Sequence, residues 1–233
     1  MDKKTIYNVE KFYYDNYRVN KDGSERALNI YENNFGRLEG GRQHDPIYNN
    51  PNAKKQIYTF GCSWTYGWGV EQTETFTHLL GDENTAVYNY GAGGTGLDFA
   101  VKTLSEVYIP ESTRQIFIIT VPHYFRRTWF DDNGVVYKPW ELKEFVDFNE
   151  YNNYFYFLHQ YNFVNKFVGR DKIIWSCWSG DTFGLYDLIE DKVDLSFDLI
   201  DVAADKMHPG PKSHKKYADN LKKIIKEKYE SNR

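Results

Sequence analysis

Cysteine is scarce in this chain: Cys62 and Cys177 are the two found in 233 residues. So few exclude a disulfide framework and a cysteine-rich zinc module. A basic excess is missing as well. With 29 Lys and Arg against 33 Asp and Glu, the formal net charge is -4, which argues against the broad positive surface of a nucleic-acid binder. The lysines near the C-terminus read as the solvated face of a helix. The start, Met1-Asp2-Lys3-Lys4-Thr5, leads into no apolar run long enough for a secretory leader or a membrane span. A cytoplasmic protein without nucleic-acid or membrane partners is therefore expected. What the chain does have is 41% hydrophobic and 27% charged residues, enough for one medium-sized domain to bury a full sheet between helix layers.

Residues 1–54 stand apart from the rest. They are polar and aromatic, with turn signals at Asp22-Gly23, Gly40-Gly41 and Asn50-Pro51. Tyr7, Phe12, Tyr13, Tyr14 and Tyr17 are too many aromatics for an ordinary disordered tail. This stretch reads as an arm packed on the main domain or on a neighbour, and His44-Asp45 within it as a surface loop. Residues 55–233 form the main domain.

From Lys55 onward, strand and helix signals alternate. Ile57, Tyr58 and Phe60 predict a strand that stops at Gly61-Cys62-Ser63-Trp64-Thr65-Tyr66-Gly67-Trp68-Gly69-Val70, a tight loop presenting Ser63. A short helix over 71–80 and a strand over 86–90 lead into Asn89-Tyr90-Gly91-Ala92-Gly93-Gly94-Thr95-Gly96, whose glycines let backbone N–H groups approach a ligand. As a phosphate loop this stretch is incomplete: Lys102 lies too far along for a Walker pattern, and Gly94-x-Gly96 lacks the rest of a dinucleotide fingerprint. Leu97, Ala100, Val101 and Leu104, with Val107 or Tyr108, mark one helical face, and Pro110 ends that helix. Residues 115–121 form the apolar, β-branched run of a strand buried on both faces.

Further along, Asn133-Gly134 signals a hairpin within 131–136. Residues 141–168 predict one long helix or two, with Tyr151, Tyr154, Phe155, Leu158 and Tyr161 as a stripe facing the core or an oligomer contact. Strands are predicted at 173–178 and 195–200, and a helix at 213–229. This alternation argues for an α/β fold, an open parallel sheet with helices on both faces. Right-handed crossovers then place the loops bearing Ser63, Gly94, His123 and His208 along one edge.

Serine, aspartate and histidine are the types needed for nucleophilic acyl transfer. A serine hydroxyl is a poor nucleophile until an imidazole takes its proton, and the imidazole works best when a carboxylate holds its tautomer and stabilises its cation. Asp205 and His208, in Asp205-Lys206-Met207-His208-Pro209-Gly210-Pro211, can meet this need from a single turn, because three residues of spacing let both side chains point toward Ser63. A metal set of Asp205, His208 and His214 is the weaker reading, since His214 belongs inside the following helix and no further ligand cluster accompanies it.

Together, Gly61-Cys62-Ser63-x-Thr65-x-Gly67-x-Gly69-Val70 and Asp205-x-x-His208-Pro209 resemble the first and last blocks of the SGNH, or GDSL, hydrolases, a resemblance that spans roughly residues 55–229. It implies a flavodoxin-like three-layer α/β/α sandwich with strand order 2-1-3-4-5, and a serine esterase that needs no metal or organic cofactor. Catalytic roles fall to Ser63, Asp205 and His208, and oxyanion donors to the N–H groups of Ser63 and Gly94. The asparagine that the family's third block supplies is absent from Thr120-Val121-Pro122-His123-Tyr124-Phe125-Arg126-Arg127. His123 stands nearest that place as a third donor.

Arg126 or Arg127 could reach the same space and suit a substrate carboxylate or phosphate; the alternative is a surface pair neutralising Asp131 and Asp132. Trp64, Trp68, Trp129 and Trp178 are candidates for stacking on a sugar or an acyl group, which makes a glycan ester such as an O-acetyl sugar a substrate to test. In the implied strand order Cys62 and Cys177 are separated by a strand, roughly 10 Å apart and beyond the ~7 Å reach of a disulfide. The chain also resembles phage-encoded members of the family. That points to an alternative: a binding or assembly module, placed in a virion and contacting a virion partner or a second copy through the arm.

Overall fold

The computed structural model describes residues 53–122, 126–130, 136–137, 150–178 and 189–229. In chain order the elements are β1 (Lys55–Gly61), α1 (Ser63–Tyr66), α2 (Phe76–Leu80), β2 (Thr85–Gly91), α3 (Leu97–Val107), β3 (Gln115–Val121), β4 (Trp129–Phe130), β5 (Val136–Tyr137), α4 (Glu150–Val168), β6 (Ile173–Trp178), β7 (Leu195–Phe197) and α5 (Pro211–Tyr229). The main sheet has the order β2-β1-β3-β6-β7, and every neighbouring pair in it is parallel. Counted along the chain, this is the expected 2-1-3-4-5. The small β4–β5 pair is antiparallel, and residues 131–135 of the expected hairpin lie outside the described residues. So do residues 1–52 of the expected arm and 141–149 of the expected long helix.

The sheet is covered on both faces, which explains why its central strand reads as an unbroken apolar run: all seven residues of β3 are buried. On one face Leu97, Ala100 and Leu104 of α3 and Phe157, Val164 and Val168 of α4 pack with Phe60, Phe117 and Trp175. On the other, Phe76 and Leu80 of α2 and Tyr217, Leu221 and Ile225 of α5 pack with Ile57, Ile118 and Ile174. Burying each such large side chain contributes about 1.5–3 kcal/mol. Cys62 and Cys177 are both buried and share no disulfide, with β3 lying between the strands that precede and contain them.

Several boundaries differ from the sequence expectation. The helix expected over 71–80 is a 3-10 turn, Gln72–Glu74, followed by α2. The break falls at Thr75, whose Oγ1 accepts the His78 N–H at 3.2 Å and so starts a new helix. The last strand ends at Phe197, leaving Leu199 and Ile200 exposed. In α4 the buried line is Phe157, Val164 and Val168, whereas Phe155 of the predicted stripe is 53% exposed. The tyrosines Tyr154 and Tyr161 sit at the margin of the core, where a ring can pack while its hydroxyl stays near water.

The carboxyl ends of β1 and β2 are in register, Gly61 opposite Gly91. Between them Asn89 is fully buried. Its Oδ1 accepts the Gly91 N–H at 2.8 Å, while its Nδ2 donates to the Thr65 carbonyl at 3.0 Å and to Thr77 Oγ1 at 3.3 Å. One side chain thus ties α1, which carries Ser63, to the end of β2 and to α2. Asn89→Ala would strand these groups without water, so a loss of about 2–4 kcal/mol of unfolding free energy is expected. Urea denaturation with an unchanged m-value checks it.

Candidate active site

The site begins where β1 runs into α1. Ser63 lies on the first residue of a one-turn helix, not in the open loop that the glycines suggested. Gly67, at φ 81°, ends that turn, and its N–H and that of Trp68 both reach the Ser63 carbonyl at 3.0 Å. The serine is held firmly and is only 6% exposed.

The partner loop runs from Asp201 to Gly210. It is narrow because the Ala203 N–H donates to the His208 carbonyl at 2.8 Å and the Gly210 N–H donates to the Asp201 carbonyl at 2.9 Å. Within it Lys206, at φ 61°, is the one non-glycine residue with positive φ among the described residues. That left-handed step turns the chain sharply between Asp205 and His208. Below the loop, the Asp201 carboxylate accepts the N–H groups of Ser213 at 2.8 Å and Lys212 at 3.1 Å, which caps α5.

The two loops dock directly. The Ala204 N–H donates to the Gly69 carbonyl at 3.2 Å. Gly69 has φ +85°, and a Cβ there would stand 2.8 Å from the Ala203 Cβ and 3.0 Å from the Asp205 Cγ. Only glycine fits that approach.

Docking brings three side chains into line. His208 Nε2 lies 2.9 Å from Ser63 Oγ, and His208 Nδ1 lies 2.6 Å from Asp205 Oδ2. The other carboxylate oxygen, Asp205 Oδ1, accepts the Met207 N–H at 3.0 Å and the His208 N–H at 3.1 Å. Burial pushes the Asp205 carboxyl up, but hydrogen bonds from the His208 ring and these two N–H groups outweigh it and hold the group at about 2. Asp205 therefore stays ionised and fixes Nδ1 as the protonated nitrogen, leaving Nε2 to accept from Ser63. The Trp68 ring flanks the imidazole with centroids 6.4 Å apart. Cys62 is buried beside Ser63, and burial raises its thiol pKa despite the opposing pull of the Arg126 charge; such a thiol is unreactive.

Of the expected oxyanion donors, the Ser63 N–H opens α1 and so has no acceptor within the helix. Gly94 is buried at φ +74°, and among the described residues its N–H has no backbone acceptor. His123 lies outside the described residues. His214, the third member of the metal reading, is buried in α5 with Nδ1 accepting the Phe76 N–H at 3.3 Å. Among the described residues no group of three His, Cys, Asp or Glu side chains is placed to hold a metal. Nor is any helix among them long and apolar enough to cross a membrane.

The aromatic and basic candidates separate. Trp64 is 8% exposed and stacks on Trp178 at 4.3 Å, so one face of each ring is spent on the other. Arg127 lies over the Tyr156 ring at 3.5 Å, and burial lowers its pKa, with Tyr156 and Asp98 offsetting only part of that shift; it is held inside the fold. Arg126 lies over the Trp178 ring at 5.3 Å. The contributions of Gly69 and Asn89 were not anticipated from sequence, although Gly67-x-Gly69 right after a strand-end serine is a readable signal of close approach.

No family model matches the chain, and no curated protein does. Solved structures similar to it include an acetyl xylan esterase from the rumen bacterium Butyrivibrio proteoclasticus, at 15% identity and TM-score 0.43, covering 77% of this chain and 65% of that one. Another is a member of the lipolytic protein G-D-S-L family from Veillonella parvula, at 14% identity and TM-score 0.46, covering 73% of this chain and 98% of that one.

A pH test follows from Asp205. Its folded pKa of about 2 lies below the ordinary 3.8, so the ionised carboxylate stabilises the folded state above that ordinary value. The contribution is lost as pH falls through the folded pKa. The stability gap between the wild type and Asp205→Asn should therefore be full at pH 5 and close between 3.8 and about 2. Denaturant titrations across that range measure it, and a gap that does not narrow contradicts the assigned hydrogen bonds.

Proposed function

We propose that this protein is a serine esterase of the SGNH type, hydrolysing an ester through Ser63, His208 and Asp205. The observation that carries the reading is the pair of contacts that runs from Ser63 Oγ to His208 Nε2 at 2.9 Å and from His208 Nδ1 to Asp205 Oδ2 at 2.6 Å. A hydroxyl, an imidazole and an ionised carboxylate in that order make an activated nucleophile.

Ser63 Oγ attacks the ester carbonyl as His208 Nε2 takes its proton. Asp205 stabilises the resulting imidazolium without itself being protonated. The N–H groups of Ser63 and Gly94 receive the negative charge that develops on the carbonyl oxygen, with His123 as a third donor. Collapse expels the alcohol, which takes the proton from His208 and leaves an acyl group on Ser63. His208 then removes a proton from water, the hydroxide attacks the acyl carbonyl, and Ser63 leaves with that proton restored. Every step uses residues of this chain. An O-acetyl sugar is the glycan form of the substrate to include in tests.

Hydrolysis of p-nitrophenyl acetate and butyrate by the purified protein should be abolished in Ser63→Ala and in His208→Ala. Asp205→Asn should lower kcat by ~10⁴-fold through loss of the correct tautomer. Circular dichroism confirms that each variant is folded. Wild-type turnover no faster than that of Ser63→Ala, on these esters and on acetylated sugars, overturns the esterase reading and favours the binding or assembly module.

Gly69→Ala tests the loop docking separately. The new Cβ strains the backbone and pushes on Asp205, so kcat should fall roughly 10- to 100-fold while KM changes less. Steady-state kinetics on p-nitrophenyl acetate provide the measurement, and an unaltered kcat would show that the contact does not position the relay.

A further inference from the structure

Two adjacent arginines follow β3, and their surroundings differ. Arg127 is satisfied within the fold: its Nη1 donates to the Arg126 carbonyl at 3.2 Å, its guanidinium covers the Tyr156 ring, and Asp98 supplies opposite charge. Arg126 has no such provision. Its Nε and Nη1 are shielded from solvent and yet have no hydrogen-bond acceptor among the described residues. The Trp178 face at 5.3 Å offsets part of the charge. Leaving shielded guanidinium donors idle is costly, and a bound ligand is one way such groups are satisfied.

Its position supplies one. The Arg126 backbone carbonyl abuts Gly96, where a Cβ would lie 2.4 Å away, so it is anchored two residues from Gly94. Its guanidinium rests on Trp178, which stacks on Trp64 at 4.3 Å, the residue after the nucleophile. Its charge also reaches Cys62, the residue before it. Arg126 therefore touches, through one neighbour each, the turn that presents Ser63 and the loop that offers the Gly94 N–H.

We propose that Arg126 is a specificity-determining residue that binds an anionic oxygen group of the substrate, so that the esters hydrolysed here carry a carboxylate or a phosphate close to the scissile bond. The proposal rests on the esterase reading. A guanidinium presents planar N–H groups to either anion, and binding one would satisfy the idle donors. An O-acetyl group on a neutral sugar makes no such contact. An acidic sugar or another acidic alcohol does.

Two ester pairs test this. p-Nitrophenyl glutarate, with a free carboxylate on the acyl side, is set beside its methyl ester; 4-acetoxyphenyl phosphate, with the anion on the alcohol side, is set beside its dimethyl phosphate ester. The wild type should prefer the charged member of at least one pair, and which pair it is assigns the side of the bond that Arg126 faces. In Arg126→Gln the charged-over-neutral ratio of kcat/KM should fall about 10- to 100-fold, with Arg126→Lys between the two. Binding is read separately by calorimetry with Ser63→Ala, which holds the esters uncleaved: the charged member should bind more tightly, and Ser63→Ala/Arg126→Gln should bind both alike. Equal binding of charged and neutral members by Ser63→Ala overturns the proposal, as does a ratio that Arg126→Gln leaves unaltered because both members lose equally, the mark of an oxyanion donor. Failure of the esterase reading looks different: the wild type is then no faster than Ser63→Ala on any ester, while the calorimetric comparison still decides whether Arg126 binds anions.

Discussion

The contact between Gly69 and the loop at 203–205 brings the Ser63 turn and the His208 loop together. A backbone hydrogen bond of 3.2 Å and the missing Cβ of Gly69 let two loops from opposite ends of the domain meet. The meeting depends in turn on the parallel sheet. Because β1 and β7 run in the same direction and their loops leave from their carboxyl ends, the turn at Ser63 and the loop at His208 open on one edge. An antiparallel arrangement of the same strands would have sent one of them to the other side.

Around that edge, polar groups are buried in an orderly way. Asn89 is enclosed and completes its hydrogen bonds with the ends of α1 and β2. Asp205 is enclosed and accepts from three N–H groups, so its charge is stabilised against the opposing effect of burial. Asp98 accepts the Thr128 N–H at 2.6 Å and tethers the segment after β3 to the start of α3. On that same segment Arg126 differs, because its Nε and Nη1 find no hydrogen-bond acceptor among the described residues. The stack of Trp64 on Trp178 serves packing first and gives the guanidinium a surface to rest on.

Much of this was legible in the chain itself. The unbroken apolar run of β3, the alternation of strand and helix, and the 97-100-101-104 face of α3 follow from periods of two and 3.6 residues, and the structure retains each. The histidine three residues after an aspartate, and a serine just past a strand-end glycine, marked the candidate groups of the site. Less legible were features decided by contacts distant in sequence. Thr75 split a predicted helix because its side chain could cap a new one. Phe155 turned outward because the buried line of α4 was set by Phe157, Val164 and Val168 against Trp175.

The sequence by itself determined which residue types were available and where each strand and helix could form, since those depend on local periodicity, turn chemistry and the reactivity of single side chains. Only the tertiary structure decided that Ser63, His208 and Asp205 lie within hydrogen-bond reach, that Asn89 and Gly69 pack the turns that carry them, and that Arg127 meets Tyr156 and Asp98 while two Arg126 nitrogens meet no acceptor among the described residues. Distances and counter-charges between residues far apart along the chain are properties of packing. No local pattern encodes them.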